Sequence, residues 1–284
     1  MGDNVAEKVG KYEIATEATV DDRLSVFLWG PSGAGKTTLA HTAPGPFLWV
    51  NTDPDGEKTL AEFVVGTLRG KETDVLLLDL SKQPPSYTQD FASDDGRGIE
   101  EFLKKFPKIQ TVVGDSCTTF GEDALYHGVT VAQRTAKGRG STIEDPGRSG
   151  YGNKNTWMRR YVGNLVRATK KMNKHLVVIG HEDKPTQNNE GVIMFVAPML
   201  GGSLVTQIPI PFSEVWYLSG SDKERRIAIR PVRLHKPMKT RMFRTDGNPE
   251  FAWKYNSLTR QGEGIKDWWM KWKKNGKRKI ALPA

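Results

Sequence analysis

Cysteine is nearly absent. Cys117 stands alone among 284 residues, which excludes an internal disulfide and a cysteine metal cluster and suits a reducing compartment. Long hydrophobic runs are missing too; none approaches the roughly 18 apolar residues that a membrane-spanning helix needs. The opening stretch, MGDNVAEKVGKYEIATEA, is polar and mixed in charge, without the apolar core of a secretory leader. No internal repeat and no low-complexity tract interrupts the chain. These absences lead to the expectation of a soluble, cytoplasmic protein. Acidic residues are in deficit, with 33 Asp and Glu against 42 Lys and Arg, so the net charge is +9. That excess favours an anionic partner such as nucleic acid, but it bears on association and not on fold. A hydrophobic content of 37% against 26% charged residues suffices for one full core, or two.

What is present is organised around Ser25 to Ala40, SVFLWGPSGAGKTTLA. Ser25 to Trp29 read as a buried strand, Gly30 to Thr37 spell G-x-x-x-x-G-K-T, and Thr38 to His41 open a helix. Strand, loop and helix in that order are the context a P-loop requires. Its residues are Gly30, Pro31, Ser32, Gly33, Ala34, Gly35, Lys36, Thr37 and Thr38. Glycines at 30, 33 and 35 let the backbone curl so that successive N–H groups point into one concavity. Lys36 can reach the β- and γ-phosphates of ATP, and the Thr37 hydroxyl can sit on Mg²⁺. The competing reading is a glycine-rich turn that happens to end in Lys-Thr; the flanking strand and helix argue against it.

Downstream, apolar runs alternate with helical patterns. Pro46 to Thr52, Val75 to Leu80, Gln110 to Asp115 and His175 to Gly180 read as strands; Glu57 to Gly70 and Gly98 to Phe106 read as helices. A short strand is expected near Tyr12 to Ile14. The alternation predicts a parallel sheet covered on both faces. After Gly180 the pattern changes. Glu214 to Ser219 and Arg226 to Val232 predict a hairpin on the sheet edge around Gly220-Ser221-Asp222-Lys223, and Glu263 to Lys274 a short helix.

Three strand ends carry candidate chemistry. Asp115 closes the strand Thr111-Val112-Val113-Gly114, where a Walker B carboxylate meets Mg²⁺; the alternative is an aspartate capping the next turn. Asp53 closes the second strand and is a candidate base for the attacking water, with Asp55 and Glu57 as rivals. Read otherwise, Asp53-Pro54-Asp55-Gly56 is only a turn. His181 follows the fifth strand, placed to touch a γ-phosphate and report hydrolysis to the loop beyond, unless it is merely a solvated histidine.

The series GPSGAGKTT, FLWVNTD, VLLLDLSKQP, TVVGDS, GNLVRATKKMNKHLVVIGH, Gly201-Gly202 and RIAIRPVRLHKPMKTRMF resembles the RecA-like recombinase core. In particular it resembles the short RecA-like ATPases of bacteriophages, the Sak-type annealing and recombination proteins. The resemblance spans about Leu24 to Phe243. It implies an α/β RecA-like P-loop NTPase fold with a C-terminal β-hairpin edge. It sets boundaries of an arm over 1–22, an ATPase core over 23–243 and a basic, aromatic extension over 244–284. Lys36 and Thr37 match the phosphate and Mg²⁺ residues and Asp115 the Walker B acid. His181 stands where RecA has a glutamine, and Asp53 where RecA has its catalytic glutamate, so a shorter acid faces the water.

The resemblance further implies two DNA-facing loops. One lies within Arg134 to Asn155, with Arg134, Lys137, Arg139, Arg148 and Lys154 among glycines; such a loop can follow a phosphate backbone without reading sequence. The other runs from Asp183 to Gly202, with Lys184, Gln187, Asn188 and Asn189. Solvated surface loops are the competing reading, although loops of this length are uncommon in a compact domain without a function. Between them Asn155 to Lys174 predicts a helix with an apolar stripe and a basic face. Lys236, Lys239 and Arg241 match cations that reach the ATP of a neighbouring subunit, which implies head-to-tail assembly into a ring or filament. Arg230 and Arg233 are alternatives, and a basic surface turn is the plainer reading. In the tail, Trp268, Trp269 and Trp272 among lysines either stack on single-stranded bases or pack on the domain; a replication or single-strand-binding protein could also dock there. The implied activity is a DNA-stimulated ATPase that supports recombination or annealing of single-stranded DNA. The alternatives are a helicase loader or ATP-switch protein, and a small-molecule P-loop kinase.

Overall fold

The computed structural model describes residues 7–9, 12–14, 21–54, 56–60, 75–83, 97–221, 224–256 and 259–283. A short hairpin, β1 (Glu7–Val9) and β2 (Tyr12–Ile14), precedes β3 (Ser25–Gly30), α1 (Lys36–His41), β4 (Phe47–Asn51) and the one-turn α2 (Gly56–Thr59). Next come β5 (Val75–Asp79), α3 (Arg97–Lys105), β6 (Thr111–Asp115) and two long helices, α4 (Cys117–Gln133) and α5 (Gly147–Lys171). β7 (His175–His181) leads into a small hairpin of β8 (Thr186–Gln187) and β9 (Ile193–Phe195), then the one-turn α6 (Leu204–Gln207). The chain closes with β10 (Glu214–Ser221), β11 (Glu224–Ala228), β12 (Glu250–Trp253), the pair β13 (Tyr255–Asn256) and β14 (Gln261–Gly262), and α7 (Ile265–Lys274). The predicted helix over 57–70 is described only as α2. Residues 61–74, Asp55 and the turn at Asp222 and Lys223 lie outside the described residues.

Eight strands form one sheet in the order β12-β11-β10-β3-β7-β6-β4-β5. From β10 to β5 every neighbouring pair is parallel; β11 and β12 add an antiparallel edge. The predicted α/β architecture, a mainly parallel sheet with a hairpin edge, is the observed one. β3 shows why it reads as an unbroken apolar run. Phe27 and Trp29 point into the core beneath α4 and α5, while Val26 and Leu28 point to the opposite core with Leu39 of α1 and Trp268 of α7. A strand alternates faces with period two, and with helices on both faces each side chain is buried. Each fully buried Val, Leu or Phe contributes roughly 1.5–3 kcal/mol.

Helix α4 was not predicted. Ser116 caps it by accepting the Thr119 N–H at 3.3 Å, and Phe120 stacks on Tyr161 of α5 with ring centroids 3.7 Å apart. The two helices approach so closely that a Cβ on Gly128 would lie 2.7 Å from the Gly150 carbonyl. Helix α5 starts at Gly147, eight residues before the predicted Asn155, because glycine at 150 serves this crossing instead of breaking the helix. The first basic loop therefore ends at 146.

The C-terminal residues join the same body. β12 pairs with β11, and Trp268 is 1% exposed among Trp216, Phe243 and Phe251. Trp269 donates its indole N–H to the Asp22 carbonyl at 2.6 Å. Of the two readings of these tryptophans, packing on the domain is the observed one for Trp268. Buried Glu214 pins the preceding segment. It accepts from Thr240 Oγ1 at 2.6 Å, from the N–H groups of Arg241 and Met242 at 2.8 and 3.0 Å, and from Trp216 Nε1 at 2.9 Å. Burial raises its pKa, opposed by those four hydrogen bonds.

Candidate nucleotide site

The parallel register aligns the carboxyl ends of the central strands. Gly30 lies opposite His181, and Asn51 opposite both Asp79 and Asp115. Loops leaving these ends therefore share one crest, where open parallel sheets place their sites. Two backbone features shape the first loop. Gly30 has φ +151°, and a Cβ there would sit 2.1 Å from the Leu218 carbonyl on β10. Gly35 has φ +89° where the chain enters α1.

Lys36 turns back over this loop, donating to the carbonyls of Gly30 at 2.9 Å and Pro31 at 2.7 Å. It faces a cleft of about 310 Å³ that is also lined by Thr37, Asp53, Asp115, His181 and Arg225. The four expected catalytic residues thus meet in one place. Burial lowers the Lys36 pKa to about 8, against the pull of Asp115, Asp53 and Glu182. Burial, reinforced by the nearby Asp53 charge, raises Asp115 to about 7, while His181, Trp49 and Lys36 act the other way. Trp49 Nε1 donates to Asp115 Oδ2 at 3.3 Å.

Asp53 is placed differently. Burial acts to raise its pKa, but hydrogen bonds from His181, Thr119 and Ser116 prevail and hold it below the ordinary value. Ser116 Oγ donates to Asp53 Oδ1 at 2.7 Å, Thr119 Oγ1 donates to the same oxygen, and His181 Nε2 lies 3.2 Å from Oδ2. Two carboxylates in one cleft are thus driven in opposite directions, the arrangement that separates an ionised group from one able to carry a proton. The His181 N–H in turn donates to the Thr118 hydroxyl oxygen at 2.9 Å. The cap of α4 thereby ties the ends of β4, β6 and β7 together.

This chain matches the AAA domain family, AAA_24, over residues 22–254. It belongs to that family. The P-loop after β3, the acid at the end of β6 and a mainly parallel sheet with β7 inserted between those two strands are those of a RecA-like P-loop NTPase fold. No curated protein matches the chain. Among solved structures, a KaiC-like protein, PH0186, from the hyperthermophilic archaeon Pyrococcus horikoshii OT3 is similar at 15% identity and TM-score 0.42, covering 83% of this chain and 87% of that one. The RadB recombinase is similar at 15% identity and TM-score 0.45, covering 84% of this chain and 89% of that one.

The residues fit Mg²⁺. The Thr37 hydroxyl and Asp115 carboxylate line the cleft together. One carboxylate and one hydroxyl suit an ion that takes its remaining ligands from phosphate and water. Among the described residues no group of three His, Cys, Asp or Glu could cage a metal alone.

The remaining expected residues scatter. Arg134, Lys137 and Arg139 are exposed on the loop after α4. Arg148 and Lys154 are not loop residues; both lie on α5, and Lys154 is half-buried beside Gly121, where burial lowers its pKa. The segment 183–202 is not a plain loop either. It folds into the β8–β9 hairpin, with Lys184, Gln187, Asn188 and Asn189 exposed. Asn188 Oδ1 shapes the turn by accepting the N–H groups of Glu190 at 3.0 Å and Val192 at 2.9 Å. Lys236 lies over the Phe195 ring at 5.1 Å, Lys239 Nζ donates to the Ile210 carbonyl at 2.8 Å, and Arg241 is exposed. None of these three is among the described residues lining the cleft of its own chain. Arg225, which does line it, was missed. No helix among the described residues is long and apolar enough to cross a membrane.

Proposed function

We propose that this protein is an ATP- and Mg²⁺-dependent ATPase that grips single-stranded DNA and supports recombination or annealing. The observation that carries this reading is the line from cleft to hairpin. His181 contacts Asp53 inside the cleft, and the chain leaves His181 directly into the segment that carries the β8–β9 hairpin, exposed from 184 to 194. A nucleotide that moves His181 shifts the base of that hairpin, which links DNA and nucleotide affinities. The exposed basic loop at 134–139 supplies the electrostatic half of the grip. Lys36 binds phosphate oxygens, and Asp53 orients and deprotonates the attacking water. Mg²⁺, when bound at Thr37 and Asp115, would offset phosphate charge. Lys236, Lys239 and Arg241 act toward the cleft of a second copy, so that copies stack head to tail. A phage origin and a phage single-strand-binding or replication partner accord with the Sak-type resemblance.

The test is phosphate release with and without single-stranded DNA, in the native chain and in Lys36→Ala. DNA-stimulated release that the variant loses supports the reading. Nucleotide-dependent DNA binding that persists in Lys36→Ala overturns it.

A second reading is favoured by one observation. Asp53 already accepts three hydrogen bonds, which suits a group that senses nucleotide without turning it over. The protein would then be a helicase loader or ATP switch, with nucleotide-dependent binding of a partner and negligible phosphate release.

A further inference from the structure

A second cavity, of about 450 Å³, adjoins the nucleotide cleft, and Arg225 lines both. On one side Arg225 meets the P-loop so closely that a Cβ on Gly35 would be 3.0 Å from its Nε. On the other side its guanidinium lies over the Trp253 ring, 5.7 Å from the centroid. Trp253 stacks in turn on Tyr255, centroids 5.8 Å apart and planes 12° from parallel. Asn256 and Gln261 complete the wall with side-chain amides. The wall is braced. Trp253 Nε1 donates to the Glu263 carbonyl at 2.9 Å, and Gly262, φ +119°, allows β14 to approach β13 so closely that a Cβ would lie 2.4 Å from the Lys254 carbonyl.

A P-loop holds phosphates and offers nothing flat or apolar to a base. The adjoining cavity offers the half-buried Tyr255 ring for stacking, backed by buried Trp253, and amides for hydrogen bonds to a base edge. Its volume is in the range of small-molecule sites, roughly 300–1,000 Å³. An arginine at the junction suits the point where sugar meets phosphate, since guanidinium pairs with phosphate oxygens and stacks on ring faces. We propose that the cavity walled by Trp253, Tyr255, Asn256 and Gln261 is the nucleobase and ribose subsite, with Arg225 bridging it to the P-loop. The inference rests on the nucleotide reading above. It assigns base recognition to the segment 253–262.

The experiment compares ATP with inorganic tripolyphosphate, each with Mg²⁺, by calorimetry on the full chain. The native protein binds ATP more tightly than tripolyphosphate. Tyr255→Ala weakens ATP about tenfold, the loss expected of one base–aromatic stack, and leaves tripolyphosphate unchanged. Gln261→Ala, at an exposed position, also narrows the gap between the two ligands. Lys36→Ala weakens both. Equal native affinity for the two ligands overturns the subsite without needing any variant. So does a Tyr255→Ala protein that binds ATP as before or loses both ligands equally. If Lys36→Ala changes neither ligand, it is the nucleotide reading of the P-loop that fails.

Discussion

His181 Nε2 lies 3.2 Å from Asp53 Oδ2, joining the ends of β7 and β4 across the intervening β6. The contact gives Asp53 a hydrogen-bonding neighbour, while burial raises Asp115 to about 7 and makes it the more protonatable carboxylate. Asp53→Asn removes the proposed base but keeps the size and several hydrogen bonds. ATP hydrolysis is expected to fall about 100-fold or more, with ATP affinity nearly unchanged. Single-turnover phosphate release and calorimetry read the two effects separately.

Replacing the histidine tests the link to the hairpin. His181→Ala is expected to retain ATP binding and to lose the stimulation of hydrolysis by single-stranded DNA. His181→Gln keeps a donor toward Asp53 and is expected to restore part of that stimulation. Stimulation ratios with and without DNA check both. Full stimulation in the alanine variant would disconnect His181 from the DNA response.

The cleft was legible in the sequence because its parts obey fixed local rules. Glycines, Lys36 and Thr37 sit at P-loop spacing, and Asp53, Asp115 and His181 each end an apolar run. Helix α4 was not legible. Its buried positions include Cys117, Thr118, Gly121, Ala124 and Gly128, small residues that leave no strong apolar stripe. Arg148 and Lys154 were placed in a loop because neighbouring glycines look like breakers until the α4–α5 crossing is seen. Arg225 could not be found at all, since it meets the P-loop only because β11 follows β10 beside β3. Sheet order is a tertiary fact, and no local pattern encodes it.

Glu214 stabilises the 240–242 segment through three donors and holds the Trp216 indole with a fourth hydrogen bond. Glu214→Ala deprives the Thr240, Arg241 and Trp216 donors of this acceptor, while the Met242 N–H keeps Thr240 Oγ1 at 3.2 Å, at a cost of roughly 3 kcal/mol or more. For a chain of this size that lowers the melting temperature by about 6–12 °C. Differential scanning calorimetry checks it.

His175 gives a pH dependence. Burial lowers its pKa from 6.5 to about 4, and its Nδ1 accepts the Leu24 N–H at 2.8 Å, which requires a ring unprotonated there. Below pH 6.5 the unfolded chain takes up a proton that the folded chain refuses. Stability is therefore fully present above 6.5 and falls as pH drops toward about 4, by up to about 3 kcal/mol. His175→Gln keeps an acceptor without the titration. Urea midpoints measured from pH 7 to pH 4 are expected to fall less steeply in that variant.

Gly30 and Gly33 separate two demands on the P-loop. Both carry positive φ, +151° and +76°, so an added Cβ strains either one. At Gly33 nothing lies within 4 Å of the new carbon. Gly33→Ala should therefore cost only the backbone term, about 1–2 kcal/mol, and leave the β3–β10 pairing intact. At Gly30 the Cβ would meet the Leu218 carbonyl at 2.1 Å, a contact with backbone in a neighbouring strand that no rotamer can relieve. Gly30→Ala must push β10 away from β3, and β11 with Arg225 travels with β10. The variant is expected to lose stability beyond the Gly33→Ala value and to bind ATP more weakly. Parallel denaturation and nucleotide titrations of the two variants check this, and equal losses in both would mean that the close approach of β10 contributes nothing.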